Sequence, residues 1–274
     1  MKIWLNGALV EERDACIAPS DHGFLVGDGV FETLRWYDGR PFALGEHLAR
    51  LEHGCRTTGI AMPAHADLDR AANAVVEANG LRDARMRITV TSGPGPAGLL
   101  RGDGPPTVLV VAVALTPWPP TATAVTSSLR RDERSPLAGV KTVSLAESAT
   151  ALAQARSAGA DEALVFNRSG DLCEATTANV FLVHDGVATT PPVEAGCLAG
   201  ITREHVLQLG ATERRLSSDD VATAQEAFLT SSTREVQPLV NVDGRVIGDG
   251  GAGPLTARFA EDYSRLVREA LAAG

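Results

Sequence analysis

The chain has 274 residues, a size that suits one large domain or two modest ones, and 44% of them are hydrophobic. Its net charge of −9 argues against a nucleic-acid-binding surface and against charge-driven binding to an anionic membrane. The first residues, MKIWLNGALVEERD, lack the apolar core of a signal peptide, and no apolar run reaches the length of a membrane span. These features predict a soluble, cytoplasmic protein with neither nucleic acid nor membrane as a partner.

The cysteines give no sign of a metal site or of a disulfide framework. Cys16, Cys55, Cys173 and Cys197 are scattered, and none of them forms a C-x-x-C pair. The histidines do not cluster with the spacing of zinc ligands. We therefore expect reduced thiols and no bound metal.

The first half of the chain alternates strand and helix patterns. KIWLNGALV predicts a hairpin around Asn6-Gly7, and VFETLRWY predicts a strand that turns at Asp38-Gly39. LGEHLARLEHGCRTTGI has a helical apolar period, and DLDRAANAVVEANG predicts a helix with Asp67 as N-cap and Gly80 just past its end. ARMRITVTSG and PTVLVVAVAL are typical of strands. This pattern predicts a small N-terminal α+β domain over residues 1–116.

The proline-rich sequence TPWPPTATA marks a predicted domain boundary, because it can continue neither a helix nor a central strand. We assign residues 117–123 to a linker and residues 124–274 to a second, larger domain. There, SLAESATALAQARSAG predicts a helix that ends at Gly159, and short strands follow it. Another helix is predicted to begin near Thr202, and an amphipathic helix ends the chain.

Lys141 is one of only two lysines in a chain with 34 acidic residues, and it lies in the apolar sequence AGVKTV. A single lysine is most often a solvated surface group. Apolar neighbours, however, disfavour the charged amine and lower its pKa. Only the neutral amine attacks a carbonyl group. Lys141 is therefore the predicted attachment point of a cofactor that carries an aldehyde.

Glu174 lies in the middle of a strand-like sequence, LCEATTANVFLV. A buried carboxylate is costly unless it is paired. A protonated pyridine nitrogen is one partner that offsets the cost, and this pairing makes a pyridoxal ring an electron sink. The alternative interpretation is a surface glutamate on an edge strand.

Two short sequences offer small hydrogen-bond donors for a phosphate group. In LAGITR, Gly200, Ile201 and Thr202 stand at a predicted helix N-terminus, where unpaired N–H groups and the helix dipole favour an anion. In LTSSTREV, Ser231 and Ser232 follow a strand and can act in the same way. Each sequence taken alone is also typical of a simple cap or turn.

The chain resembles the class IV (fold-type IV) pyridoxal-phosphate enzymes through sequences that occur in the family's order: GDGVFETLR, HLARL, the Lys141 segment, GADEALVFNRSGDLCEATTANVFLV, TPPVEAGCLAGITR and FLTSSTREVQP. The family includes branched-chain aminotransferases, D-amino-acid aminotransferases, (R)-amine transaminases and aminodeoxychorismate lyases. The resemblance implies an α/β (α+β) fold of a small N-terminal and a larger C-terminal domain, with pyridoxal 5'-phosphate between them. It also implies a homodimer in which loops of the partner subunit close the active site.

The resemblance also implies roles for individual residues. Lys141 corresponds to the lysine that binds the cofactor as a Schiff base and moves the proton. Glu174 corresponds to the partner of the pyridine nitrogen. Further cofactor contacts are implied at Arg50, Thr177, Ala178, Asn179, Leu198, Gly200, Ile201, Thr202, Ser231 and Ser232.

The residues that would bind the substrate carry marks of more than one subfamily. The carboxylate-binding tyrosine and Arg-x-His of the best-known D-amino-acid enzymes correspond here to Phe31, Pro96 and Gly98. Branched-chain enzymes carry an arginine on the long strand, and Arg87 matches its position. Arg85 lies on the same strand face and can share or replace the role of Arg87.

Two further sequences point away from the branched-chain enzymes. Where those enzymes usually have a tyrosine shortly after the catalytic lysine, this chain has Leu145, as in D-amino-acid enzymes. The loop TSGPGPAG is similar to one found in some aminodeoxychorismate lyases.

We therefore expect a transaminase that moves an amino group from an amino donor, with a D-amino acid or an (R)-amine favoured, to an α-keto acid. The first alternative is an aminodeoxychorismate lyase that yields 4-aminobenzoate and pyruvate, and the second is a branched-chain aminotransferase. A binding protein that has lost its activity is a further interpretation, and the presence of both Lys141 and Glu174 argues against it.

Overall fold

A computed structural model describes residues 1–273, which form two compact units. Unit 1 comprises Met1–Thr116 together with Val140–Leu145, and unit 2 comprises Pro117–Gly139 and the chain from Ala146 onward. The predicted division assigned the Lys141 segment to the second domain and residues 117–123 to a linker, whereas the segment belongs to unit 1 and residues 117–123 to unit 2. Phe31 N–H donates to Lys141 C=O at 3.0 Å and Val143 N–H donates to Gly29 C=O at 2.9 Å, so backbone pairing joins this segment to unit 1.

Unit 1 is built on a sheet with the strand order β2-β1-β6-β5-β3-β4. Adjacent strands along this order are antiparallel. Its elements are β1 (Lys2–Leu5), β2 (Ala8–Glu11), α1 (His22–Leu25), β3 (Gly29–Tyr37), β4 (Arg40–Pro41), α2 (Leu44–Thr58), α3 (His65–Ala78), β5 (Ala84–Thr91) and β6 (Thr107–Ala114).

The core of unit 1 lies on one face of this sheet. Successive side chains of a strand point to opposite faces, and alternate residues such as Leu34, Trp36 and Met86 are fully buried against α2 and α3. Phe31 and Arg87 occupy the alternate positions and therefore lie on the other face. The sheet thus separates a packed face from a face that carries the candidate site residues.

The local signals of the first half are largely confirmed. Both predicted hairpin turns form, with Asn6 and Asp38 at positive φ and a glycine after each. Gly80 follows α3 with φ +61°. The predicted N-cap Asp67 is wrong, because α3 begins almost one turn earlier with Ala64 as its N-cap, and Asp67 instead pairs with Arg70 within the helix.

Unit 2 contains a nine-stranded mixed sheet with the order β12-β11-β10-β13-β14-β7-β8-β9, and β15 pairs with β14. Its strand β7 begins inside the predicted linker. The elements are β7 (Ala122–Arg131), α4 (Ala146–Ser157), β8 (Glu162–Asn167), β9 (Leu172–Ala175), β10 (Asn179–His184), β11 (Val187–Thr190), α5 (Ile201–Gln208), β12 (Thr212–Glu213), α6 (Ser218–Thr223), β13 (Glu226–Ser231), β14 (Glu235–Val242), β15 (Arg245–Val246) and α7 (Pro254–Ala273).

Aromatic packing joins the terminal helix of unit 2 to its sheet. Phe181 stacks on Phe228 with ring centroids 4.7 Å apart, and Phe228 lies 5.7 Å from Phe259 of α7. Such pairs add to the stabilisation from buried apolar area. Within residues 1–273, α7 included, we find no helix that is long and apolar enough to span a membrane.

Candidate active site

Three of the predicted site residues of unit 1 meet at one aromatic ring. Lys141 Nζ lies 4.6 Å from the ring centroid of Phe31, and Arg87 Cζ lies 3.6 Å from the same centroid. The face of an aromatic ring attracts cations. We call Phe31, Arg87 and Lys141 the Phe31 group, and it places two basic side chains on one side of the sheet.

Arg87 is half-buried, and among residues 1–273 no carboxylate is paired with it. Its Nε donates to Thr89 Oγ1 at 3.1 Å. Burial, with a smaller contribution from the charge on Arg85, lowers the pKa of Arg87 to about 10, so the guanidinium stays charged at neutral pH. Arg85 is exposed. A half-buried guanidinium without a carboxylate suits an anionic ligand, which favours Arg87 over Arg85 for this role.

Arg50 lies in a separate cluster of unit 1, on the helix side of β3. Its Nε and Nη2 each donate to Glu32 at 2.7 Å, and His47 Nδ1 lies 2.8 Å from the same carboxylate. Burial alone would raise the pKa of Glu32, but the charge and hydrogen bonds of Arg50, assisted by His47, lower it to about 2. The structure therefore gives Arg50 a carboxylate partner, and its predicted contact with a phosphate stays a prediction.

In unit 2 the candidate site is centred on Glu174 of β9. Its Oε1 accepts from Arg131 Nη2 at 3.1 Å, and its Oε2 accepts from Leu198 N–H at 3.0 Å. Asn179 Nδ2 lies 3.4 Å from Glu174 Oε2 and donates to Leu198 C=O at 2.8 Å. We call these four residues the Glu174 group. It brings together three predicted residues and Arg131, the last residue of β7, which the sequence analysis did not single out.

The N-terminus of α5 lies just after Leu198 of the Glu174 group in the sequence. Gly200 is the N-cap, and no side chain caps the helix. A Cβ atom at Gly200 would collide with the side-chain oxygen of Asn179, so a larger residue there would displace the Asn179 side chain. The Thr202 hydroxyl lies 3.3 Å from the Tyr263 hydroxyl in the interior. An uncapped helix N-terminus of this kind presents its N–H groups to an anion.

The remaining predicted residues lie on two turns of unit 2. Thr177 and Ala178 belong to the turn between β9 and β10, and Ser231 and Ser232 belong to the turn that ends β13. Glu162 and Arg234, which the sequence analysis did not single out, bond to both turns. Glu162 begins the strand EALVFN, and an acidic residue directly before the apolar run ALVF is the sequence feature that could have singled it out.

These residues fit pyridoxal 5'-phosphate by the chemistry of each group. The Phe31 group offers an amine beside an anion-binding guanidinium. The Glu174 group offers a half-buried carboxylate whose two oxygens are fixed by donors. The first turn of α5 offers uncapped N–H groups. An aldehyde, a pyridine nitrogen and a phosphate are the respective partners that these groups suit.

The comparisons with known proteins place the chain in a family. The family model for amino-transferase class IV matches residues 29–242. The chain therefore belongs to the class IV aminotransferases, a family of pyridoxal-phosphate-dependent enzymes, which confirms the predicted family and fold class.

Its relatives include enzymes with two different names. The branched-chain-amino-acid aminotransferase of Pseudomonas aeruginosa is 35% identical over 97% of this chain and 92% of its own length. The D-alanine aminotransferase of Bacillus licheniformis is 33% identical over 93% of both chains. Among solved structures, the branched-chain aminotransferase of the thermophilic archaeon Thermoproteus uzoniensis with norvaline superposes with a TM-score of 0.90, at 31% identity over 97% of this chain and 94% of that chain.

Proposed function

We propose that this chain is a pyridoxal 5'-phosphate-dependent aminotransferase that moves an amino group from an amino acid to an α-keto acid. The observation that carries the proposal is the Phe31 group, where an amine and an anion-binding guanidinium rest on one ring. An aminotransferase of amino acids needs both, because the amine would hold the cofactor and move the α-carbon proton, and the guanidinium would hold the substrate carboxylate.

When bound, the cofactor supplies an aldehyde that accepts the amino group and a ring that withdraws electrons from the substrate. Lys141 would hold the aldehyde of the cofactor, and its amine would move a proton at the substrate α-carbon as a general acid and base. Glu174 holds a negative charge for the ring nitrogen, and Arg131 and the Leu198 N–H keep its carboxylate in one orientation.

The other predicted residues bind and orient. Arg87 holds the substrate carboxylate, and Phe31 forms the surface beneath it. The contacts to the phosphate and the ring edges are proposed for Arg50, Thr177, Ala178, Asn179, Leu198, Gly200, Ile201, Thr202, Ser231 and Ser232.

A cavity of about 230 Å³ in unit 1 is lined in part by Thr89, the hydroxyl partner of Arg87. The rest of its lining combines apolar residues such as Phe24, Leu109 and Val143 with Asp21, Thr91 and Thr107. Its size supports an amino acid with a small side chain, such as alanine or a branched-chain amino acid.

For the donor we favour a D-amino acid, on the strength of Leu145 and the match to a D-alanine aminotransferase. A branched-chain L-amino acid is the second candidate, and Arg87 and the match to the Pseudomonas enzyme support it. An (R)-amine has no carboxylate for Arg87 and would use only part of the proposed site. A homodimer and a cytoplasmic location stay predictions from the sequence.

The half-reaction tests the proposal directly. The purified protein is loaded with pyridoxal 5'-phosphate, and the visible absorbance of the bound cofactor is followed on addition of D-alanine, L-leucine or an (R)-amine. We expect an amino acid to bleach the absorbance and an α-keto acid to restore it. Failure of every donor, together with release of 4-aminobenzoate from aminodeoxychorismate, would replace the aminotransferase with the lyase.

A further inference from the structure

A buried carboxylate in unit 2, Glu162, accepts hydrogen bonds from two separate turns. On the β9–β10 turn, the hydroxyls of Thr176 and Thr177 both donate to it, and Thr177 N–H donates at 3.3 Å. On the β13–β14 turn, Arg234 Nη2 donates to the same carboxylate. Glu162 is 0% exposed, so these bonds form away from water.

Arg234 makes the matching set of contacts from the other side. Its Nη2 also donates to Thr177 Oγ1 at 2.9 Å, and its Nη1 donates to Gln237 Oε1 at 2.8 Å. The guanidinium lies over the ring of Trp118, with Cζ 3.8 Å from the centroid. Burial lowers the pKa of Arg234, and the charge on Glu162 opposes that shift.

We propose that the Glu162–Arg234 ion pair is a positioning element that fixes the β9–β10 turn against the β13–β14 turn. Both turns carry proposed cofactor contacts. Thr177 is bonded directly to the pair, and Ser231 Oγ accepts from Arg234 N–H at 3.3 Å. This inference rests on the proposed function, since it assigns the purpose of the pair to cofactor binding.

The cost of this arrangement supports a positioning role. A buried ion pair is on average no more stabilising than apolar residues of the same volume, so stability alone does not explain it. It does offer directional bonds, and here one carboxylate and one guanidinium tie together residues 72 positions apart in the chain. Groups that bind a ligand must be held to within a fraction of an ångström to act well.

Three variants separate positioning from stability. Arg234→Met removes the donors and keeps a long side chain beside Trp118, and Glu162→Gln removes the acceptor charge. The double variant E162Q/R234M leaves no buried charge unpaired and should regain part of the stability that either single variant loses. Arg215→Met is the matched control, because Arg215 pairs with Asp171 outside both turns.

The first measurement is hydrogen exchange in the protein without cofactor. In R234M and in the double variant we expect faster exchange in peptides that cover both turns, with unchanged exchange in β10 and β13 around Phe181 and Phe228. The second is titration with pyridoxal 5'-phosphate, where we expect the dissociation constant to rise about 10-fold to 100-fold. R215M should match the wild type in both.

The results distinguish this inference from the proposed function. If the wild type binds no pyridoxal 5'-phosphate, the proposed function fails and this inference fails with it. If the wild type binds the cofactor and the double variant binds it equally well, only the positioning role is overturned. The same holds if exchange rises throughout unit 2, because the pair would then serve general stability. Restored stability with affinity still weakened is the outcome that supports positioning.

Discussion

The two candidate groups, one in each unit, differ in chemical character: one is built on basic side chains and the other on a carboxylate. The Phe31 group places Lys141 and Arg87 on one aromatic ring, whereas the Glu174 group surrounds a carboxylate with donors. The first suits negative charge and carbonyl carbon, and the second suits a positively charged ring nitrogen. Substitutions in the two groups should therefore impair different parts of the proposed reaction.

Lys141→Ala is expected to have the largest effect. Removal of the amine eliminates both covalent attachment and proton transfer, so turnover should fall by about 10⁴-fold or more. Steady-state assays and the visible absorbance of the cofactor provide the measurement. Lys2→Ala is a matched control, because Lys2 is the other lysine of the chain and pairs with Glu11 at the surface. A K141A protein that turns over normally would exclude the proposed mechanism.

Glu174→Gln tests the other half of the comparison. The neutral amide cannot hold the charge of a ring nitrogen, so the rate of the half-reaction should fall by about 10²-fold to 10³-fold. Single-turnover kinetics with a saturating amino donor measure it, and Glu194→Gln on the surface is the control. An unchanged rate would mean that Glu174 serves only to hold Arg131 and Leu198.

Glu32→Gln tests whether the Glu32 carboxylate, although it is next to Phe31 in sequence, stabilises the fold instead of forming part of the site. The folded-state pKa of about 2 lies below the ordinary 4.5, so the ionised form stabilises the fold above pH 4.5 by on the order of 3 kcal/mol. That contribution disappears as the pH falls from 4.5 towards 2.

Urea unfolding at neutral and acidic pH measures this contribution. The wild type should lose stability steeply on acidification, and E32Q should be less stable at neutral pH with a flatter acid dependence. Glu77→Gln, at an exposed site on α3, should change neither the stability at neutral pH nor its dependence on acid. Parallel curves for wild type and E32Q would refute the assigned ion pairing.

Arg87→Ala is expected to have the smallest effect, and it sharpens the assignment of the anion site. Loss of a charged hydrogen bond should raise KM for amino and keto acids about 10-fold to 100-fold, and should spare simple amines that lack a carboxylate. Arg85→Ala is the comparison variant on the exposed neighbour. A KM effect in R85A but not in R87A would move the carboxylate to Arg85.

Local signals in the sequence predicted much of the fold. The Asn6-Gly7 and Asp38-Gly39 turns and the glycines that follow α3 and α4 are set by backbone conformations that few residue types allow. Lys141 stood out because lysine is scarce in this chain. Glu174 stood out because a carboxylate in an apolar strand is costly to bury. Asp67 was misread as the N-cap because aspartate is a preferred capping residue, whereas α3 begins after Ala64 with no side-chain cap.

Long-range pairing was beyond the reach of the sequence. Nothing in the residues around Glu162 specifies that its partner is Arg234, because arginines are frequent and the pairing depends on how two turns approach. Likewise, the sequence does not reveal that β3 places Glu32 beside Arg50. The assignment of Val140–Leu145 to unit 1 also depends on tertiary pairing. The prolines mark only the point where the chain first passes from unit 1 to unit 2.

The pairing of the Lys141 segment with β3 has a consequence for synthesis of the chain. Short β4 covers only Trp36 and Tyr37 of β3, and the other end of that edge is covered at Gly29–Phe31 by residues 141–143. An uncovered strand edge invites association with other chains. On the ribosome this edge therefore stays exposed until β7 and the Lys141 segment have been made. Lys141, the residue proposed for catalysis, lies in the segment that covers this strand edge. Truncation of the chain before this segment would therefore leave a protein that is aggregation-prone as well as inactive.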